Sequence, residues 1–255
     1  MTLPKVSVIT VCFNAADSIE RTIESVRSQT YRGIEHVVVD GASTDGTMDI
    51  VRRHADGIAT IVSEKDGGIF DAMNKGIGLS TGDIVYFLNA DDSFIDDRVV
   101  EDVAAAFIED GSRALVYGNV ILKGAAPGLI NYPAFPFKSR SISEFLHNSF
   151  CHQAVFVRRA LFAKLGLFEC QYRYSADYEW IIRAFKADGG RDFHFIDRNI
   201  AYYFVLGRSQ QHAAVTDREV HRMHRKHFLS LEYAWYFIRY VWLRRLKKRL
   251  LNQTA

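Results

Sequence analysis

Proline and cysteine are both scarce in this chain of 255 residues, four and three in number. Cys12, Cys151 and Cys170 are widely spaced and odd in count, which suits reduced thiols and argues against a disulfide framework or a zinc site. The opening "MTLPKVSVIT" has one Lys ahead of a strand-like run and no apolar h-region, so an intracellular protein is expected. A membrane span is lacking too: the apolar stretch "YAWYFI" is broken by Arg239 and falls well short of the roughly 20 residues that cross a bilayer. Repeats and low-complexity tracts are absent. At 48% hydrophobic and 24% charged, the chain can bury one substantial core.

The net charge of +2 conceals an asymmetry. Residues 218–250 hold ten Lys and Arg against Glu219 and Glu232, leaving 22 Lys and Arg with 28 Asp and Glu elsewhere. An acidic body with a basic tail implies that the tail meets an anionic surface.

Along the chain, "KVSVITVCF" (5–13), "IEHVVVD" (34–40), "GIATIVS" (57–63) and "DIVYFLN" (83–89) read as buried strands. Helical patterns lie between them. "DSIERTIESVRSQ" spaces Ile19, Ile23 and Val26 by four and three behind Asp17 and Ser18 as caps; a second helix begins near Thr47, and "IFDAMNKGI" supplies a third before Gly78. This alternation predicts a parallel sheet with helices on both faces and a ligand site beyond the carboxyl ends of the strands. Later segments predict a helix over 99–110, one or two strands over 114–122, a strand in "QAVFVRR", a helix in "ALFAKLGLF" stopped by glycine, and a helix in "DYEWIIRAFKADGG". Residues 124–137 hold three of the four prolines and read as a loop or lid.

The run "VYFLNADDSF" (85–94) ends abruptly on Asn89, Asp91 and Asp92. Adjacent carboxylates repel and cannot both be buried unpaired. In the plainer reading, Asp91 or Asp92 caps the following helix. In the other, the carboxylates meet a cation. Asp40 ends the second strand and Asp66 follows the third, so acidic groups gather at one edge. Hard oxygen ligands of this kind suit magnesium or manganese, whose open positions take substrate phosphates.

Taken in order, "VSVITVCFN", "SVRSQTY", "VVVDGASTDGT", "DGGIFDAMNKGI", "GDIVYFLNADD", "HQAVFVRR" and "SADYEWIIRAF" resemble the motifs of the inverting family 2 glycosyltransferases. The likeness runs from about Lys5 to Asp92 and returns around residues 152–183. It implies an α/β protein of the GT-A fold, with a Rossmann-like, mostly parallel central sheet, helices on both faces and, here, a C-terminal amphipathic helix. It also implies a nucleotide-sugar donor, a UDP-sugar, and a divalent cation, Mn2+ or Mg2+.

The resemblance assigns Thr10, Phe13 and Asn14 to the floor of the nucleotide pocket, Asp40 to the base, and Asp66 and Asn74 to the border of nucleotide and donor sugar. Asn89, Ala90 and Asp91 match the Asp-x-Asp motif, with Asp91 as metal ligand. Asn89 departs from the first Asp and brings no charge. Met73 stands where many members carry Arg, so a diphosphate contact is either missing or supplied by Lys75. Asp177 matches the catalytic base that takes the acceptor's proton, with Glu179 as its nearest rival, and His152 matches a position facing the acceptor. On its residues alone, Asp177 is equally a helix-start acid stabilised by the dipole. His212 is a candidate further ligand, whereas His221, His224 and His227, three residues apart, read as a polar helix face.

The expected division is a catalytic domain over 1–212, its nucleotide half about 1–110 and its acceptor half about 111–212, followed by a tail over 213–255. On a helical wheel Trp235, Trp242, Leu243, Leu246 and Leu250 oppose Arg244, Lys247 and Lys248, the pattern of a helix lying on anionic lipid. The alternative packs these aromatics on the catalytic domain. No nucleic-acid partner is expected, because the basic residues lack a recognisable binding fold.

The reading is therefore a bacterial-type, cytoplasmic enzyme, peripheral on the inner face of the membrane, acting on a glycan or lipid-linked acceptor. Two rivals remain: a nucleotide-sugar or carbohydrate-binding scaffold without turnover, favoured by Asn89 and Met73, and a sugar nucleotidyltransferase, disfavoured because "CFNAADS" is no glycine-rich basic loop for a triphosphate.

Overall fold

Continuous Val and Ile runs suit strands covered on both faces, and the first of them, β1 (Val6–Cys12), lies near the middle of the sheet. The structure, a computed structural model, describes residues 3–123, 129–132, 142–146, 151–204, 213–236 and 238. After β1 come α1 (Ile19–Arg27), β2 (Ile34–Asp40), α2 (Thr47–Arg53), β3 (Thr60–Ser63), α3 (Ile69–Leu79), β4 (Ile84–Phe87), β5 (Ser93–Phe94) and α4 (Val99–Glu109). The chain continues through β6 (Leu115–Lys123), β7 (Leu129–Tyr132), β8 (Val155–Arg158), α5 (Arg159–Leu165), α6 (Ala176–Asp188), β9 (Phe193–Phe204), α7 (Ala213–His227) and α8 (Ser230–Tyr236).

The sheet runs β3-β2-β1-β4-β8-β6-β9-β5, with β7 paired to β6. Its first four strands in chain order are parallel as expected, through the pairs β2–β3, β1–β2 and β1–β4. Antiparallel pairing enters at β8, which joins β4 to β6. Alternate residues serve opposite faces. Ile9, Val11, Val85 and Phe87 pack with Phe70, Met73 and Ile77 of α3, whereas Val6, Val8, Ile84 and Tyr86 pack with Val99, Val103 and Phe107 of α4. Trp180 of α6 is fully buried and stacks on Phe162 with ring centres 4.2 Å apart. α7, assigned to the tail in the expected division, places Met223 in the same core cluster as Trp180, and Phe228 just after the helix joins it.

Several local expectations need correction. The cap of α1 is not made by a side chain, since the Ser18 hydroxyl turns to the Ala15 carbonyl. α3 runs on through Gly78 to Leu79. The proline-bearing stretch contains a strand, β7, because residues 129–132 pair with β6. Sequence patterning missed β9: "FHFIDRNIAYYF" is half-buried along most of its length and lacks clean alternation. β6 and β9 shift register around Gly118, where an added Cβ would lie 2.5 Å from the Arg198 carbonyl, so the close approach itself requires glycine.

Candidate active site

Register aligns Cys12, Asp40 and Ser63 side by side at the carboxyl edge of the parallel strands. Asp40 is fully buried there and accepts hydrogen bonds from the Ser43 amide (3.0 Å), the Ser63 hydroxyl (2.6 Å), the Ser43 hydroxyl and the Cys12 thiol. Burial, followed by the Asp40 charge, pushes the Cys12 thiol far above its ordinary range, so it stays protonated. Asn14 adopts a left-handed conformation (φ 50°), accepts from the Thr44 amide (2.9 Å) and gives its own amide to Ser43 (2.8 Å), tying the loop after β1 to the loop after β2. Phe13 stands exposed beside them.

Gly41 brings the Phe13 ring and the Asp66 carboxylate together. A Cβ at this position would meet Asp66 Oδ2 at 2.6 Å and the Phe13 ring at 3.3 Å. Gly41→Ala is therefore expected to displace Asp66 at a cost of about 1–3 kcal/mol, and calorimetry should find nucleoside diphosphate binding weakened by about tenfold.

The acidic segment extends the β4 pairing with β1: the Leu88 amide donates to Ile9 and the Ala90 amide to Val11. Neither Asp91 nor Asp92 caps a helix, because α4 begins at Val99 with Arg98 at its cap position. Helix α1 clasps the segment from the side. Arg21 donates to the Asp91 carbonyl (2.8 Å), and the Thr22 hydroxyl sits between the carbonyls of Ala90 (2.9 Å) and Asp92 (2.6 Å). In sequence these two residues were simply part of an amphipathic helix. Asp92 is fully buried; Oδ1 accepts the Phe204 amide (3.3 Å), and Oδ2 has no partner among the described residues. Burial, then the charge of Asp91, raises Asp92 well above the carboxylate range.

Opposite lies His152, which opens a 3-10 turn ahead of β8. Its Nδ1 is 2.7 Å from Asp177 Oδ2, and its Nε2 is 3.1 Å from Asn89 Nδ2. Burial alone would lower the imidazole's pKa, but the hydrogen bond and charge of Asp177 outweigh it and raise the value. Asp177 sits in the first turn of α6. The loop before it is fixed by Glu219 of α7, which accepts the amides of Arg173 (2.6 Å) and Tyr174 (3.0 Å) and the Ser175 hydroxyl (2.8 Å). Nothing in the sequence marked Glu219, which is more than 40 residues from its partners.

Other expected site residues have partners within the protein. Thr10 is fully buried with its hydroxyl on His36 Nε2 (2.9 Å), bracing β1 against β2. Asn74 exchanges hydrogen bonds with the Phe168 backbone, both 3.0 Å, and so clamps α3 to the segment before α6. Met73 faces the core, and Lys75 is paired with Glu64 (2.8 Å). Glu179 has no exposed surface and is enclosed by Arg183 (2.8 Å), Lys226 (3.2 Å) and His227 (2.8 Å), which removes it as a rival base. The spaced histidines are not a solvated face either: His227 meets Glu179, and buried His224 meets Tyr178 (3.1 Å). His212, the loop over 124–128 and 133–140, and the tail beyond Ile238 lie outside the described residues.

Asp91 offers one half-buried carboxylate at the strand edge, while Asp92 is fully buried and raised above the usual carboxylate range. That donor set fits a Mg2+ or Mn2+ ion that completes its shell with phosphate oxygens and water. A separate group, Glu20, Glu24 and His54, also has metal-compatible spacing among the described residues.

A parallel half-sheet with acidic groups at its carboxyl edge defines a Rossmann-like α/β scaffold, and comparison with known proteins gives its family. The chain matches glycosyl transferase family 2 over residues 7–166. It belongs to that family and is a glycosyltransferase of the GT-A fold. An uncharacterized glycosyltransferase of Mycobacterium tuberculosis is 38% identical over 184 residues, covering 71% of this chain and 69% of the relative. A PGL/p-HBAD biosynthesis glycosyltransferase of the same organism is 36% identical over 192 residues, covering 73% and 72%. Among solved structures, residues 1–349 of S. aureus TarS superimpose with a TM-score of 0.67 at 20% identity, covering 93% of this chain and 72% of that one. This chain spans 38% of the longer TarS chain. A mannosyltransferase from Pyrobaculum calidifontis in complex with GDP-Man and Mn2+ gives a TM-score of 0.64 at 21% identity, covering 89% and 64%. No helix among the described residues is long and apolar enough to cross a membrane.

Proposed function

We propose that the protein transfers a sugar, with inversion, from a UDP-sugar to a glycan or lipid-linked acceptor in cell-surface polysaccharide or glycolipid synthesis. The observation that carries this reading is the convergence of Asn89, His152 and Asp177, linked at 3.1 and 2.7 Å, beside Asp91 at the carboxyl edge of the sheet. Phe13, Asn14, Asp40 and Asp66 border the nucleotide. Asp91 would hold a divalent cation, which when bound would supply charge stabilisation for the departing diphosphate. Asp177 takes the proton of the acceptor hydroxyl as that oxygen attacks the anomeric carbon from the opposite face.

The glycolipid side of the proposal draws on the relative named for PGL/p-HBAD biosynthesis. Exposed Leu229, Leu231, Trp235 and Ile238 lie where the basic tail begins, consistent with work at the cytoplasmic face of an anionic membrane. Catalytic residues 1–212 and a tail over 213–255 remain the proposed division, with α7 serving as the tail's anchor on the catalytic core.

The cation's role is tested by titrating UDP calorimetrically with Mn2+ or with chelator. Mn2+ should tighten UDP binding by about tenfold or more, and Asp91→Ala should remove the difference. Equal affinities in all arms would remove Asp91 as the ligand.

A further inference from the structure

The amide at position 89 and the histidine at 152 form one hydrogen-bonded chain that ends on Asp177, and this chain gives Asn89 a role that its lack of charge otherwise leaves unexplained. We propose that Asn89 and His152 are positioning residues for Asp177: the Asn89 amide N–H fixes neutral His152 in the tautomer whose Nδ1–H holds the Asp177 carboxylate in its working orientation. The inference rests on the proposed role of Asp177 and deepens it.

Asp177, as a carboxylate, can only accept, so the 2.7 Å contact requires a hydrogen on His152 Nδ1. Nε2 of a neutral ring is then an acceptor, and what it meets at 3.1 Å is an amide nitrogen, which has only hydrogens to offer. Both demands are met by one tautomer. A hydrogen bond on one ring nitrogen sets what the other presents.

An aspartate at 89 would reverse this. Its oxygens could only accept from Nε2, so they would demand an imidazolium between two carboxylates. The ionisable groups around this ring are Asp91 and Asp92 from the loop after β4, Asp177 from α6 and Cys151 beside it in the chain. A further carboxylate would add to that acidic cluster, and an imidazolium on Asp177 would weaken it as a proton acceptor. Asn89 Oδ1 is buried without a partner among the described residues, and a turned amide would place that oxygen on a protonated Nε2 instead, so the state of Nε2 separates the two orientations. The histidine itself is four-fifths buried, which restricts its rotation.

The test has two arms. Nitrogen NMR of the histidine-labelled protein at mildly alkaline pH reads the tautomer directly: wild type should show His152 neutral with its proton on Nδ1, and Asn89→Asp should show both nitrogens protonated under the same conditions. In steady-state kinetics with a donor that the enzyme turns over, His152→Ala should lower kcat by about tenfold to a hundredfold, the scale of a misplaced reacting group, with donor KM nearly unchanged. His152→Asn, whose amide nitrogen can occupy the Nδ1 position, should recover most of the loss and also serves if the alanine variant folds poorly. A proton on Nε2 in wild type, or full kcat in His152→Ala, would overturn the relay while glycosyl transfer stood. If Asp177→Asn also kept full kcat, the reading of the site itself would fail. Should no donor be turned over, the tautomer alone decides.

Discussion

Replacing Asp177 by asparagine is expected to lower kcat by about 10²- to 10⁴-fold, the usual worth of a positioned general base. The amide that replaces the carboxylate can still accept from His152 Nδ1, so the loop held by Glu219 and the start of α6 should keep their geometry. UDP affinity should therefore match wild type, which separates a lost proton acceptor from a collapsed site. Unchanged kcat would mean that the acceptor proton leaves by another route.

The second large effect is on stability and lies at Glu179. Its carboxylate is fully buried among Arg183, Lys226 and His227, which join α6 to α7. Removing one member of a buried ion network leaves the others uncompensated, so Glu179→Ala should cost about 3–5 kcal/mol. For a chain of this size that corresponds to a fall in Tm of roughly 10 °C.

The same group makes stability depend on acid. Burial alone would raise Glu179, but its hydrogen bonds to His227 and Arg183 bring it down to about 2 from an ordinary 4.5. Glu35 is likewise brought to about 2, its burial outweighed by Lys5, Ser7 and Thr81. Each contributes stability in full above pH 4.5 and loses it as pH falls through 4.5 towards 2, because the unfolded chain binds protons first. Urea midpoints measured across that range should decline steadily in wild type and less steeply in Glu179→Gln.

The sequence was most legible where a strand is buried on both faces. β1, β2 and β4 are built around Val and Ile, and their boundaries fall within a residue or two of expectation. β5, with two residues, and β9, half-buried and rich in polar residues, carry no such signal because their pairing is decided by the rest of the sheet. The site divides in the same way. Asp91, His152 and Asp177 stand out as residue types, but the link from Asn89 to His152 spans 63 positions, and the grip of Thr22 on Ala90 spans 68. Only the folded chain brings such partners together. The internal partners of Asn74 and Thr10, the Phe168 backbone and His36, were equally hidden in the sequence, at separations of 94 and 26 residues.

The central claim is that a nucleotide sugar is broken down at the edge bearing Asp91 and Asp177. It is tested most directly by release of nucleoside diphosphate from a panel of nucleotide sugars, with Mn2+ present and a membrane lipid extract as acceptor. Wild type should release diphosphate from one donor, with Asp91→Ala and Asp177→Asn both reduced to background. Release that persists undiminished in both variants would contradict the account.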